Sequence, residues 1–272
     1  MNAGKQPALS VVVPTKNEEA NIGACLSAFA SFGDELELIV VDNSSPDRTR
    51  EIAAAAGARV MVQGPERCAQ RNRGWREARG LFVMFVDADM IVPPETVREI
   101  LGLIRRNDAP DALYVPEIRV GRGLRLKARN FERSFYDGTC IDGLRVVRRG
   151  LIERVGGYDE NLVACEDWDL DRRLLAAGAA TATTAGALRH NEAKQTLRVF
   201  LKKKAYYSTS VAAYRAKWGD DAICRRQFGL AYRYLGVFVE NGKWRRLLRH
   251  PVLAAVMYAE RVAVGVTYLV CR

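Results

Sequence analysis

An apolar run, Phe82-Val83-Met84-Phe85-Val86, stops abruptly at Asp87-Ala88-Asp89. The run reads as a buried parallel strand. In an extended segment, residues two apart point the same way, so Asp87 and Asp89 are expected to present two carboxylates together at the carboxyl edge of a sheet. That edge is where open α/β sheets bind ligands. Paired carboxylates there suit a hard divalent cation that carries a substrate's phosphates. Taken alone, the same residues also describe a solvated acidic turn.

The first half of the chain alternates strand and helix patterns. Strands are expected at Leu9–Pro14, Leu36–Asp42, Arg59–Val62 and Leu81–Asp87. Helices are expected at Glu18–Ala30, up to Ala56 with a stop at Gly57, over Cys68–Arg79, and from Pro93-Pro94 to about Arg106. This alternation implies βαβ units and a parallel sheet. Asn17 and Asp42 then fall just past strand ends on one edge. Asn17 could cap the following helix, and Asp42 could begin an Asx-type turn; both positions also suit hydrogen bonds to a ligand. The second half is less regular. Strands at Ala112–Pro116 and Gly143–Val147, a basic amphipathic segment Arg122–Tyr136 and a helix Trp168–Ala177 closed by Gly178 are expected. From Leu197 onward the pattern is helical and basic.

The chain has 272 residues, 49% hydrophobic and 27% charged, enough for one large domain or for one domain with an appendage. Its net charge of +10 is uneven. His190–Arg272 holds 16 Lys and Arg against 5 Asp and Glu, whereas the preceding residues are nearly balanced. Such asymmetry points to an anionic partner surface. No nucleic-acid-binding module is recognisable, which argues against DNA or RNA. The six cysteines are scattered without a C-x-x-C pair, favouring reduced thiols in a cytosolic setting. No secretory signal pattern opens the sequence.

Four stretches in order carry a family resemblance: Val11-Val12-Val13-Pro14-Thr15-Lys16-Asn17-Glu18, Ile39-Val40-Val41-Asp42-Asn43-Ser44-Ser45, Asp87-Ala88-Asp89, and Glu166-Asp167-Trp168-Asp169-Leu170 with Arg172-Arg173. Over roughly residues 8–190 the chain resembles the inverting glycosyltransferases of family 2. The resemblance implies an α/β GT-A fold: a mostly parallel central sheet flanked by helices, with a Rossmann-like nucleotide half at about 1–110 and an acceptor half at about 111–192. A basic helical region, 193–272, would follow. The implied donor is a nucleotide-sugar, with UDP the favoured carrier, bound by Pro14, Thr15, Asn17, Glu18, Asp42, Arg71 and Asp87. The implied cofactor is Mn²⁺ or Mg²⁺ on Asp89, with Asp87 and His190 in support. By the same resemblance Asp167, paired with Glu166, is the catalytic base, and Arg145, Gly157, Tyr158 and Trp168 lie on the acceptor side. Bland roles compete at several positions: carboxylates at a helix start also stabilise its dipole, and Trp168 is equally suited to a core. A nucleotidyltransferase would be expected to carry a Gly-rich phosphate loop near the first strand, and none is seen. A catalytically silent relative that binds membrane and partner proteins would need none of Asp42, Asp89 and Asp167.

Lys202-Lys203-Lys204 beside Tyr206-Tyr207 has the composition of a membrane-surface segment. Pro251–Val270 is apolar except for Glu260 and Arg261 at its middle. Two central charges are expensive in hydrocarbon, so an interfacial helix is expected rather than a span, with packing on the domain as the alternative. These features point to a peripheral protein at the cytoplasmic face of an anionic membrane. They also point to a polyprenyl-phosphate- or diphosphate-linked glycan as acceptor.

Overall fold

Valine, isoleucine and leucine alternate between two cores in the central strands. In the computed structural model, which describes residues 6–190 and 211–270, β1 (Leu9–Thr15) is buried along its whole length. Val11 and Val13 face one core and Val12 the other. β1 pairs in parallel with β2 (Leu36–Asp42) and β4 (Phe82–Phe85), and β2 pairs in parallel with β3 (Arg59–Val62). Thr15 sits opposite Asp42, and Val12 opposite Phe85, so three strands deliver their carboxyl ends to one edge.

The main sheet has seven strands in the order β3-β2-β1-β4-β8-β6-β9, with β6 at Ala112–Tyr114, β8 at Val146–Arg148 and β9 at Thr181–Thr183. Only β8 runs antiparallel to its neighbours, β4 and β6. One face is covered by α1 (Ile22–Ser27), α2 (Thr49–Ala55) and α4 (Pro94–Ile104). The other is covered by α3 (Arg67–Glu77), α6 (Arg149–Val155) and α7 (Glu166–Ala176). Gly74 lets α3 approach β1: a Cβ there would lie 2.2 Å from a Val12 methyl. A second, three-stranded sheet has the order β5-β10-β7, formed by Met90–Ile91, Leu188–His190 and Glu117–Arg119.

The C-terminal residues pack onto this body at two places. Trp168 of α7 stacks edge-on against Tyr214 and Phe228. The last helix, Pro251–Val270, lies against α5 (Leu124–Arg133), with Met257 buried in a cluster that includes Phe135 and Phe238. The Glu260–Arg261 pair has partners there: Glu260 accepts from Arg125 at 2.7 Å, and Arg261 bonds Glu132 and the Tyr136 hydroxyl. The midpoint charges thus dock the helix on the domain, the packing alternative raised above. Among the described residues no helix is long and apolar enough to cross a membrane. Lys202-Lys203-Lys204 and Tyr206-Tyr207 lie outside the described residues.

Several elements differ from expectation, among them the short strands β5, β7, β9 and β10, which the sequence does not announce. Helix α1 begins at Ile22, not Glu18, because the residues between tie the loop to the next strand's turn. β4 ends at Phe85, before the aspartates. Between β8 and Gly156 an unforeseen helix, α6, buries Leu151 and Ile152.

Candidate active site

Two loops leave the carboxyl edge beside each other and lock together. Asn17 takes a left-handed conformation with φ 56°, and its N–H donates to the Ser45 hydroxyl at 2.8 Å. Glu18 N–H donates to the Thr49 hydroxyl at 2.8 Å, and the Glu18 carboxylate accepts from the Asn21 side chain. Asn17 therefore does not cap α1; Asn21 precedes that helix. Pro14 and Thr15 are the buried last residues of β1. Asp42 is fully buried, accepting the Ser45 N–H at 2.8 Å together with the Ser45 and Thr15 hydroxyls. Asp42 thus holds its own turn, through the N–H three residues on rather than the N–H two residues on that an Asx turn uses.

Asp87 and Asp89 lie in the turn after β4 and serve different neighbours. Asp87 Oδ1 takes Arg71 Nη2 at 3.1 Å, while Asp89 Oδ2 meets His190 Nε2 at 3.0 Å. The second contact is made by the small sheet, in which His190 registers opposite Met90. The two aspartates diverge because alternation holds only within a strand, and the strand has already ended. Among the described residues no three His, Cys, Asp or Glu side chains cluster as a metal site. The Asp89 carboxylate nevertheless fits a Mg²⁺- or Mn²⁺-type ion, which commonly takes one or two carboxylates and completes its shell with phosphate oxygens and water, with the His190 imidazole 3.0 Å away.

Arg71, on α3, is the centre of the arrangement. It is 1% exposed, and Nη1 lies 3.0 Å from Asp167 and 3.3 Å from Glu166. Its guanidinium also stands over the Tyr158 ring at 5.1 Å, a favourable placement for a cation. One guanidinium thus joins the turn after β4 to the first turn of α7. Burial disfavours its charge, but Asp167, Tyr158, Asp87 and Glu166 together raise its pKa well above the ordinary value. Burial likewise pushes Asp87 up, yet Arg71, Arg145 and Arg67 more than offset this, leaving the carboxyl well below the usual range.

Glu166 and Asp167 open α7, after Cys165 in a left-handed conformation. Burial, then the charge of Asp167, pushes Glu166 up to about 7 against the opposing pull of Arg71 and Arg67. The Asp167 side chain is one-third exposed. Asp169 turns away into a buried network with Arg173, Lys217 and Trp218. Asp171 accepts the Tyr114 hydroxyl at 2.8 Å.

The remaining acceptor-side candidates are largely committed to structure. Arg145 pairs with Glu117, a partner that no local sequence signal marks. Gly157 has φ 76°, and a Cβ there would lie 2.4 Å from Trp75 Nε1 and 2.5 Å from Asn72 Oδ1. Asn72 accepts the Tyr158 N–H and donates to its carbonyl, clamping the turn onto α3. The Tyr158 ring is buried beneath Arg71, edge-on to Phe85. Trp168 is packed into the C-terminal clusters described above. Arg71, Asp87, Glu166 and Asp167 are brought together, with Tyr158 and Arg145 around them.

Comparison with known proteins identifies the fold first. The chain superimposes on a mannosyltransferase from Pyrobaculum calidifontis, solved with GDP-Man and Mn²⁺, with a TM-score of 0.63 and 20% identity, over 95% of this chain and 76% of that one. Glucosyl-3-phosphoglycerate synthase from Mycobacterium tuberculosis, solved with Mn²⁺, UDP and glucosyl-3-phosphoglycerate, gives 0.56 and 23% over 79% and 82%. S. aureus TarS gives 0.57 and 20% over 86% of this chain, which spans 45% of that longer one. This is the GT-A fold of glycosyltransferases. In sequence, the chain is 28% identical over 180 residues to a PGL/p-HBAD biosynthesis glycosyltransferase of Mycobacterium tuberculosis, covering 61% of this chain and 69% of that relative. Residues 10–156 match glycosyl transferase family 2, and the chain belongs to that family.

Proposed function

We propose that the protein is an inverting, metal-dependent glycosyltransferase that moves a sugar from a nucleotide-sugar, a UDP-sugar by preference, to an acceptor hydroxyl. The observation that carries this reading is the meeting at Arg71 of Asp87, from the nucleotide half, with Glu166 and Asp167, from the acceptor half. Donor and acceptor groups must come this close for direct displacement.

In this reading the loops after β1 and β2, with Pro14, Thr15, Asn17, Glu18 and Asp42, hold the nucleoside, and Arg71 and Asp87 flank the diphosphate. Asp167 accepts the proton of the attacking hydroxyl. Glu166, whose carboxyl is pushed up by burial and by the charge of Asp167, supports Asp167 from the start of α7. Asp89 and His190, with Asp87 in support, would hold Mn²⁺ or Mg²⁺, whose charge would offset that of the leaving diphosphate. Arg145, Gly157, Tyr158 and Trp168 shape the acceptor side from beneath. The presence of Mn²⁺ with GDP-Man or UDP in two proteins of the same fold supports the donor and metal assignments.

The acceptor is a polyprenyl-phosphate- or diphosphate-linked glycan, reached from the cytoplasmic face of an anionic membrane by a peripheral protein. The excess of basic residues after residue 189 supports this.

The test is sugar transfer from UDP-sugars and GDP-mannose to a lipid-phosphate-linked acceptor, with and without Mn²⁺, with the anomeric configuration of the product read by NMR. Asp167→Asn is expected to lower turnover by roughly 10² to 10⁴ while leaving donor affinity nearly unchanged. A product that retains the donor's configuration, or near wild-type turnover in Asp167→Asn, rejects the mechanism.

A further inference from the structure

The last helix buries one face and leaves an equally apolar face outside. A helix that is apolar all round is normally enclosed by protein or lipid. Met257 and Arg261 face α5, whereas Val252, Ala255, Ala259 and Val262 form an exposed stripe at intervals of three and four residues. Val252 is 61% and Val262 56% exposed. The preceding helix, Trp244–Arg249, repeats the theme: Trp244 is 45% and Leu248 71% exposed, one turn apart.

The charge in the sequence between Glu240 and Glu260 is all basic, and those two carboxylates are themselves paired, Glu240 with Arg226 and Lys243 and Glu260 with Arg125. No Asp or Glu occurs from Asn241 to Ala259, where Lys243, Arg245, Arg246 and Arg249 are found. Lys243 and Arg246 donate to the carbonyls of Phe135 and Ser134 and so fasten the helix to the domain. Arg245 and Arg249 are exposed beside Trp244 and Leu248. An indole, a leucine and an apolar stripe, flanked by exposed arginines, match the boundary between lipid headgroups and acyl chains. A protein partner would more commonly be met by charges of both signs.

We infer that Trp244, Leu248 and the Val252–Val262 stripe are the face by which this protein inserts into an anionic bilayer, with Arg245 and Arg249 contacting lipid phosphates. This deepens the membrane-surface reading given above by naming the residues that touch lipid, and it does not depend on catalysis.

The test uses the full chain and vesicles of phosphatidylcholine alone or mixed with phosphatidylglycerol, read by co-sedimentation and by Trp fluorescence. Three variants are compared: W244S/L248S, R245Q/R249Q, and V252S/V262S. Each is checked for an unchanged melting temperature, for unchanged elution volume and for transfer to a water-soluble acceptor. The arginine pair is expected to weaken binding to anionic vesicles roughly thirtyfold at low salt. Both apolar pairs should abolish the part of binding that survives high salt, and wild-type Trp emission should shift to the blue on binding. Wild type that binds while all three variants bind equally well assigns the membrane contact to another surface and overturns this face. Wild type that ignores anionic vesicles overturns both the face and the membrane reading, leaving the transfer chemistry to its own assay. A wild-type dimer that V252S/V262S converts to monomer makes the stripe a contact between copies, which also overturns it.

Discussion

Replacing Arg71 by Met tests the electrostatic centre directly. The guanidinium is buried, and Asp87, Glu166 and Asp167 lie 3.0–3.3 Å from it. Methionine keeps much of the volume and removes the charge that pairs with all three. Breaking a buried ion pair from one side costs about 3–5 kcal/mol, because the abandoned charges stay desolvated. For a chain of this size that corresponds to a fall in melting temperature of roughly 6–20 °C. The sign with pH follows from the shifts. In wild type, Asp87 lies below its ordinary pKa, so its contribution is present above about pH 4 and is lost as pH falls further. In the variant, Asp87 and Glu166 keep the desolvation and lose their largest compensating cation, retaining Arg145 and Arg67 at Asp87 and Arg67 at Glu166, so the folded pKa of Asp87 rises and that of Glu166, already raised, rises further. The deficit is then full near pH 8 and shrinks as the carboxyls protonate toward pH 5. Arg71→Lys, with one compact charge unable to reach three carboxylates, should fall between. Thermal melts of the three proteins from pH 8 to pH 5 decide the matter. Equal melting temperatures at pH 8, or a gap that does not narrow on acidification, would refute the assignment of Arg71 as the shared counter-ion.

Asp89→Ala is expected to abolish the Mn²⁺-dependent part of nucleoside diphosphate binding in calorimetry while leaving the melting temperature almost unchanged; equal affinity removes Asp89 from the metal site. Gly157→Ala should destabilise by roughly 1–3 kcal/mol or more through positive φ and the clash with Trp75 and Asn72, as read by urea unfolding. Gly156→Ala, with φ 81° but nothing within 4 Å of its Cβ, should cost less, and the reverse order would contradict the packing of this turn. Burial, opposed by the Tyr114 hydroxyl and aided by Asp142 and Asp167, raises Asp171 to about 7. Its contribution to stability is therefore full below about pH 4 and is lost as pH rises through 7. Asp171→Asn keeps an acceptor for Tyr114 and should gain on wild type by up to a few kcal/mol between pH 5 and pH 8; a gap that stays constant over that range would count against the shift.

The strand–helix alternation from β1 to α4, the shared edge that carries Thr15 and Asp42, and the family were legible in the sequence, whereas helix α6 and the short strands β5, β7, β9 and β10 were not. Each legible feature rests on local information: apolar runs, alternation, punctuating glycines, and motifs whose residues sit within a few positions of one another. Asp42 is the clearest case, because Ser45, which holds it, is three residues away. The contacts that make the candidate site were not legible in that way. Arg71 meets Asp167 across 96 positions and Asp89 meets His190 across 101. These contacts exist only because the main sheet sets α3 beside α7, and the small sheet folds β10 back against β5. Local signals also misplaced the start of α1, where hydrogen bonds between loops replace the first helical turn, and the end of β4, where the chain turns through Asp87–Met90. The last helix shows the same division. Its length, apolarity and central Glu260–Arg261 pair were plain in the sequence, but a charge at a helix midpoint has no meaning until its partner is known. Only packing on α5 supplied Arg125 and Glu132, leaving one apolar face covered and the opposite face bare.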